Sequence, residues 1–323
     1  MSTEITSWRS VPHIDPQLEV WEWQIPSYLF LGGLVAGLMI LHAVWRFQGR
    51  ENEGKALTLY GAIAAPILLS LGMLFLFLDL AYKVHVYRFY MAFMPGSPMS
   101  WGSWILLAVY PVQILMLALP GGLERFGGRL SFLNPIWDWI KGIARKVERP
   151  LLWLSVVFGA GLGIYTGILL SVNAARPLWN SGILGPLFIV SGLSAASAFV
   201  LLAKPNTLEI RSAVKWDVAL LVTEFVLLAM LLINLSTGLD PQRQAAQLIL
   251  GGEFSAGFWI FIVTLGILLP LWLEIREMSH RYSPAWLAPA LVLIGGFALR
   301  YILVMAGQVS EIAEHVTQAG MGH

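Results

Sequence analysis

The stretch WDVALLVTEFVLLAMLLINLS, residues 216–236, is apolar along almost its whole length. About 20 such residues are needed to cross the hydrocarbon core of a bilayer as a helix, because backbone polar groups find no water there. Seven other stretches meet the same criterion: 26–46, 57–79, 103–119, 151–172, 183–203, 255–275 and 286–308. The sequence therefore predicts an all-α polytopic membrane protein with eight transmembrane helices.

The composition of the 323-residue chain supports a membrane location. Hydrophobic residues make up 57% of the chain and charged residues 12%, whereas a soluble domain carries roughly 25% charged residues. The formal charge of +1 offers no basic patch to a nucleic acid. Since there is no cysteine, the chain by itself holds neither a disulfide nor an iron–sulfur cluster. An ordinary soluble enzyme, a disordered protein and a nucleic-acid binder are excluded.

Basic residues are distributed unevenly among the connections between the spans. The connections near 46–56, 120–150, 204–215 and 276–285 carry fourteen Lys and Arg residues, against five on the opposite side. The positive-inside rule therefore predicts a multi-pass protein of the cell (inner) membrane with both termini on the external, periplasmic side. Residues 1–25 are acidic, unlike a cleavable signal peptide, so we expect the first span to stay in the mature protein. The segment 131–149 mixes aromatic and basic residues and predicts a helix lying in the interface.

The two halves of the chain share a faint repeat. Pro26, Tyr28 and Gly32 of the first span are matched by proline, phenylalanine and glycine 160 residues later, in the fifth span. This pattern predicts two four-helix bundles in the same orientation, although chance matches among glycine-rich helices explain it equally well. We expect an external segment 1–25, a first bundle over 26–172, a second bundle over 183–308 and an external tail 309–323.

Haem bound between two histidines on facing helices is not expected. Of the six histidines, only His42 lies within a predicted span, and no second span supplies a partner. We expect His42 to lie near the inner surface of the membrane and to ligate no metal.

Two ionisable residues lie well inside predicted spans. Glu224 is near the middle of the sixth span and Arg300 lies within the eighth. Charged groups at such depth are costly in a bilayer and usually functional. By depth, Glu224 is the acidic partner that Arg300 requires, and the two are candidates for a proton path. The alternative is that Glu224 is a neutral, hydrogen-bonded packing residue.

The predicted topology brings several polar and aromatic residues to the outer face. These are Ser27 and Tyr28 in the first span, Asp79 at the end of the second, Trp101 before the third and Tyr165 in the fourth. Tyr165 is expected about 10 Å below the surface, at 1.5 Å per residue. A carboxylate and a phenol at this level can hydrogen-bond both oxygens of a flat lipophilic ring. Taken singly, each aromatic residue also fits an interfacial anchor.

Four segments resemble the NrfD-like family, the membrane anchor of polysulfide reductase and its relatives. They are WEWQIPSYLFLGGLVAG (21–37), FLDLAYKVHVYRFYMAFMPGSPMSWGSW (77–104), YTGILLSVNAARPLWNSGILGPLFIVSGLSAA (165–196) and GGFALRYILVMAGQ (295–308). The resemblance implies a subunit with no haem or other prosthetic group, which binds a quinone (menaquinone or ubiquinone) as an exchangeable substrate. It also implies external partners, namely a ferredoxin-like iron–sulfur subunit and a catalytic, often molybdopterin, subunit.

The resemblance further implies roles for individual residues. The acid and the tyrosine of the family's outer quinone pocket fall on Asp79 and Tyr165, with Ser27, Tyr28 and Trp101 as further candidate contacts. The family often has Gly-Arg-Pro soon after the acid, where this chain has Ala-Tyr-Lys at 81–83, so the local turn of the pocket differs. The resulting hypothesis is a quinone-reactive membrane subunit of a respiratory oxidoreductase.

Two other functions remain compatible with the sequence. A secondary transporter or ion-conducting protein would also account for Glu224 and Arg300, but transporter sites lie at mid-membrane in broken helices, and most polar candidates here lie at one face. A purely structural anchor would leave the two buried charges without a role.

Overall fold

The computed structural model describes residues 21–80, 83–91, 94, 96, 98–172, 176–203, 205–279 and 286–310. Eight of its helices are long and apolar enough to cross a membrane, and the described residues contain no strand. The predicted all-α fold with eight spans is confirmed. The expected external segments, 1–25 and 309–323, fall almost entirely outside the described residues.

The helices run up and down in chain order. The first half contains α1 (Gln24–Phe47), α2 (Ala62–Asp79, after a π-helical turn Ala56–Gly61), α3 (Pro98–Leu117), α4 (Asn134–Lys146) and α5 (Glu148–Ser171). The second half contains α6 (Leu184–Leu202), α7 (Thr207–Thr237), α8 (Asp240–Leu250), α9 and α10 (Leu287–Val309). The helix α9 comprises Ser255–Gly257, the π-helical stretch Phe258–Leu268 and Leu269–Ser279. All but α4 and α8 are spans.

Because consecutive spans alternate in direction, the molecule has two ends. We call the end where α1 begins and α10 finishes the terminal side, and the end that carries the connections 48–55, 118–147 and 203–206 the basic side. On the terminal side, the side-chain amide of Gln308 pairs with the backbone of Trp21. On the basic side, Arg46 forms an ion pair with Glu148 at 2.7 Å and donates to the carbonyl of Pro120.

The sixth span is longer than the predicted 216–236, because α7 begins at Thr207. Asn206 caps this helix by accepting hydrogen bonds from the backbone N–H groups of Leu208 and Glu209. The Glu209 carboxylate in turn accepts a hydrogen bond from the Asn206 N–H, which completes a capping box. The pattern Asn-x-x-Glu is the signal for this earlier start, which the hydropathy criterion misses.

The helices α1 and α6, which carry the proposed repeat, cross at the centre of the molecule. A Cβ added to Gly37 would lie 2.3 Å from the carbonyl oxygen of Gly192, so only glycine permits this approach. The buried core of the first half includes the basic-side part of α1, while the terminal-side part of α1 packs with α6 and α10. The first helix therefore packs against both halves of the chain, and the division into two four-helix bundles stays a prediction.

The segment predicted as an interfacial helix, 131–149, forms α4 after a 3-10 turn, Gly128–Leu133. Its Trp137 is buried and donates to the carbonyl of Leu123 at 2.8 Å, while Ile136 and Trp139 are exposed on other faces. The helix is thus held to the bundle on one face and presents apolar side chains outward, as expected for a helix at a membrane surface.

Candidate functional site

A large, partly enclosed cavity lies near the terminal side, between α1, α2, α3 and α5. Its volume is about 640 Å³, within the range of sites that hold small organic ligands. The wall is mostly aliphatic and aromatic, and its polar groups are few: Tyr28, Ser70, Asp79, Tyr90, Ser103 and Tyr165. Such a cavity suits a lipophilic ligand with a small number of hydrogen-bonding atoms.

Three of the residues singled out by the sequence line this cavity. Tyr28 and Tyr165 are buried, at 2% and 6% exposed, on α1 and α5. Neither phenol makes a hydrogen bond to a residue that the structure describes. Asp79 ends α2 at the rim of the cavity and is half-buried. The charged side chains that interact with its carboxyl group are Glu22 and Lys83. Two phenols and one carboxyl group are therefore available to a ligand.

The position of Tyr165 depends on a glycine in α3. A Cβ added to Gly102 would lie 2.2 Å from the Tyr165 hydroxyl oxygen and 2.0 Å from its ring carbon Cζ. The phenol thus rests directly on the backbone of α3. This contact gives a structural reason for the glycine within MSWGSW, the motif at 99–104.

Two other candidates from the sequence do not line the cavity. Ser27 is buried, but its hydroxyl donates to the carbonyl of Trp23, one turn earlier in α1, at 2.7 Å. Trp101 is 41% exposed on the outer surface of α3. The position of each residue in the sequence gives its depth along the helix correctly. The rotation of the helix about its axis, however, directs the side chain away from the cavity.

Several lining residues are missed by the sequence analysis. Tyr90 follows α2 in a short helical turn, and Ser70 on α2 lies 3.2 Å from the hydroxyl of Tyr110. Burial, with a smaller contribution from Tyr110, raises the pKa of the Tyr90 phenol, so it remains a neutral hydrogen-bond donor at physiological pH. No spacing pattern in the sequence marks these residues, because they meet only in the folded bundle.

The cavity wall is tied to the second half of the molecule at Trp21. The Trp21 backbone accepts from and donates to the Gln308 side chain on α10, with both distances 2.8 Å. Its ring stacks on Trp179, with centroids 5.3 Å apart, and the Trp179 indole donates to the carbonyl of Leu303. The terminal end of α10 therefore positions one edge of the cavity.

The structure brings Glu224 and Arg300 together, as their depth in the sequence suggests. The Arg300 guanidinium, 1% exposed, donates to the Ser191 hydroxyl at 2.5 Å and to the carbonyl of Phe188 at 2.9 Å. The Ser191 hydroxyl also lies close to the carboxyl group of Glu224. Ser191, on α6, therefore lies between the charged groups of α7 and α10.

His42 is buried rather than exposed at the inner surface. It packs between α1, the start of α2 and α3, and its Nε2 has no hydrogen-bond partner among the described residues. Among all the residues that the structure describes, no group of three or more His, Asp or Glu residues could hold a metal ion.

Two buried acids in the second half are not predicted from the sequence. Asp217 and Glu274 are both 0% exposed. The predicted span 216–236 puts Asp217 at its start, but the earlier start of α7 carries this residue about 15 Å into the helix, at 1.5 Å per residue. The capping motif at 206–209 is the sequence feature that indicates the earlier start of α7 and hence the depth of Asp217.

Comparison with known proteins identifies relatives along nearly the whole chain. The family model described as Polysulphide reductase, NrfD matches residues 11–313. A polysulfide reductase chain of Wolinella succinogenes is 31% identical over 306 residues, which cover 90% of this protein and 94% of that one. Protein NrfD of Escherichia coli is 29% identical over 308 residues, covering 90% and 96%. A selenate reductase subunit of Mesobacillus selenatarsenatis is 26% identical over 325 residues, covering 90% and 74%.

Proposed function

Since the chain belongs to the polysulphide reductase NrfD family, we propose that it is the quinone-reactive membrane subunit of a respiratory oxidoreductase complex. The observation that carries this proposal is the 640 Å³ cavity near the terminal side, with Tyr28, Asp79 and Tyr165 in its wall. A quinone needs an apolar slot for its ring and tail, and hydrogen-bonding groups for its two oxygens. The cavity offers both.

The proposed chemistry assigns distinct roles to the polar residues of the wall. Reduction of a quinone to a quinol consumes two electrons and two protons, and oxidation of the quinol releases them. The hydroxyls of Tyr28 and Tyr165 donate hydrogen bonds to quinone oxygens and thereby orient the ring. The Asp79 carboxyl group, at the rim, exchanges protons between the ring and the water outside. The electrons pass to or from a partner subunit, because this chain has no cysteine for an iron–sulfur cluster.

The proposed partners are suggested by the names of the relatives. Those from polysulfide and selenate reductases are named as a chain and a subunit, and hence as one component of a larger enzyme. We propose that a ferredoxin-like iron–sulfur subunit and a catalytic, molybdopterin-type subunit dock on the terminal side of this protein. That side carries the cavity, so electrons need travel only a short distance to the ring.

The pair Glu224–Arg300 is proposed as part of a proton path in the second half. Ser191 lies between the two groups. The Glu224 carboxyl group would take up and release the proton, while Arg300, which keeps its own proton, holds Ser191 in place. The alternative function, a secondary transporter or ion-conducting protein, is less well supported. The large cavity lies near one end of the spans, whereas transporter sites lie near the bilayer midplane.

The first prediction concerns Asp79. In the assembled complex, Asp79→Asn keeps the side-chain volume but removes the exchangeable acid. We expect quinone-linked turnover to fall by about tenfold or more, the lower range for a positioned acid–base group. Electron transfer from the partner subunit to a soluble dye should be unchanged. The measurement is the ratio of quinone-linked to dye-linked activity in the purified complex.

A matched control is Asp240→Asn, which removes an exposed acid on the terminal side, outside the cavity. The control should retain the wild-type ratio. Normal quinone-linked turnover in assembled Asp79→Asn would contradict the role of Asp79. Failure of a fluorescent quinone analogue to bind the wild-type complex with one site per chain would contradict the proposed function itself.

A further inference from the structure

The second half contains a pair of buried acids that the proposed quinone chemistry does not use. Asp217 on α7 and Glu274 on α9 are fully buried, and their carboxyl groups lie within hydrogen-bonding distance of each other. The Ser194 hydroxyl on α6 donates to Asp217 Oδ1 at 2.6 Å. Three helices thus converge on this pair.

The two carboxyl groups have few donors. Both carboxyl oxygens of Glu274, and Oδ2 of Asp217, receive no hydrogen bond from any N–H or O–H group in the described parts of the chain. Two ionised carboxylates side by side in a dry environment repel each other and lack solvation. One proton held between them removes the repulsion, and it also supplies the missing donor, since a protonated carboxyl group donates to its neighbour.

The surrounding charges also favour a state in which the two carboxyl groups share one proton. Glu277, one turn further along α9, and Glu224, two turns further along α7, both add negative charge near the pair. Arg300 donates its hydrogen bonds to the Ser191 hydroxyl and to two backbone carbonyls, and not to the acid pair. Lys215 is exposed. No described basic side chain neutralises the pair.

A small cavity with a mostly apolar wall lies about one helical turn closer to the basic side. Its volume is about 30 Å³, and its wall includes Ser197 on α6 with Ser212 and Glu209 on α7. The hydroxyl oxygen of Ser197 is buried without a hydrogen-bond partner among the described residues. A space of this size holds about two water molecules. Water there would lie on the side of the acid pair that faces the basic side, next to Ser197 and Ser212.

We propose that Asp217 and Glu274 form a proton-binding site, which holds one proton between the two carboxyl groups and exchanges it with the basic side of the membrane. A proton moves from water to a carboxylate oxygen and returns by the same route, with no change in oxidation state. A divalent metal is disfavoured because Ca²⁺ takes six to eight oxygen ligands and Mg²⁺ takes six in a near-ideal octahedron. The described residues near the pair include only one further oxygen donor in direct contact with it, Ser194.

This site deepens the proposed function, since the bound proton would feed the Glu224–Arg300 path, but its occupancy does not depend on that function. Infrared spectroscopy of the solubilised complex tests occupancy directly. We expect an absorption of a protonated carboxyl group near neutral pH that shifts in D₂O. The double variant Asp217→Asn/Glu274→Gln should lose it, and each single variant should alter it. Glu253→Gln, an exposed acid on the terminal side, should leave it unchanged.

Three results would overturn the proposal: no such absorption in the wild type, an unchanged absorption in the double variant, or its loss when Na⁺ replaces K⁺ at constant ionic strength. The last result would mean that a cation, not a proton, occupies the site. The wild-type measurement in H₂O and D₂O keeps the test decisive even if the variants fail to assemble. If the infrared absorption behaves as expected while Asp79→Asn keeps full quinone turnover, the role of Asp79 in the cavity is contradicted and the proton-binding site is not.

Discussion

At the scale of single residues, the phenol of Tyr165 illustrates how a local contact defines a binding group. The ring lies against the backbone of Gly102, and its hydroxyl reaches a cavity rather than the membrane surface. An interfacial anchor would place its polar tip among the lipid headgroups. Tyr165 is 6% exposed and lines the cavity wall, which favours a role in ligand binding over one in anchoring.

We therefore expect Tyr165→Phe to preserve packing and remove one hydrogen-bond donor. The loss of a hydrogen bond in a desolvated site costs about 1–3 kcal/mol, or about 5- to 150-fold in quinone-linked activity at 1.4 kcal/mol per decade. Dye-linked activity should stay normal. The measurement is kcat/KM at limiting quinone, with Tyr301→Phe, an exposed tyrosine on α10, as the control.

The variant Gly102→Ala provides a complementary test, because it keeps the hydroxyl but displaces it. The added methyl group occupies the space of the Tyr165 ring, so quinone-linked activity should fall in this variant too. Wild-type activity at limiting quinone in Tyr165→Phe would reduce Tyr165 to a packing residue.

At the scale of elements, the start of α7 joins the two halves of the chain on the basic side. Glu209 closes the capping box with Asn206, and its second oxygen accepts from the backbone N–H of Ala56 at 2.8 Å. The carboxyl group also fills the space beside Gly54, where a Cβ would lie 2.0 Å from the Glu209 side chain. One side chain therefore fixes both the beginning of α7 and the turn that precedes α2.

Replacing this carboxylate should destabilise the protein. Glu209→Ala leaves the buried N–H group of Ala56 without a partner, at about 1–3 kcal/mol for an unsatisfied group, and it also removes the capping hydrogen bond from the exposed Asn206. Thermal unfolding of the solubilised complex should show a lower midpoint than the wild type. Glu51→Ala, which removes another acid of the basic side, should leave the midpoint close to that of the wild type. Equal midpoints for the two variants would contradict the linking role of Glu209.

At the scale of the whole molecule, the orientation in the membrane determines which compartment the cavity faces. The basic side carries Arg46, Lys141 and most of the other basic residues of the connections, so we expect it to lie in the cytoplasm. The cavity and Asp79 then lie at the external end of the spans. A partner that exchanges electrons with a bound quinone would have to dock there.

Single-cysteine labelling tests this orientation cleanly, because the native chain has no cysteine. In intact cells, a reagent that cannot cross the membrane should label Gln247→Cys on α8, which belongs to the terminal side and is exposed. It should not label Gly142→Cys on α4 until the membrane is permeabilised. The reverse pattern would place the proposed quinone pocket on the cytoplasmic side.

The sequence by itself determined the number of spans, their approximate bounds and the expected side of each connection. Hydropathy and charge are local properties, since each span must satisfy its own backbone and each connection carries its own charge. The acid and the tyrosine of the pocket, Asp79 and Tyr165, could also be named from the sequence, through the resemblance to a family. Both lie in the wall of the cavity.

Only the tertiary structure decided which side chains meet. The rotation of each helix about its axis and its lateral neighbours depend on close packing between helices, which no single span encodes. For this reason Ser27 and Trp101, which the sequence predicts in the pocket, do not line it, whereas Ser70 and Tyr90 do. The pairing of Asp217 with Glu274, 57 positions apart in the sequence, likewise exists only because α7 and α9 pack together.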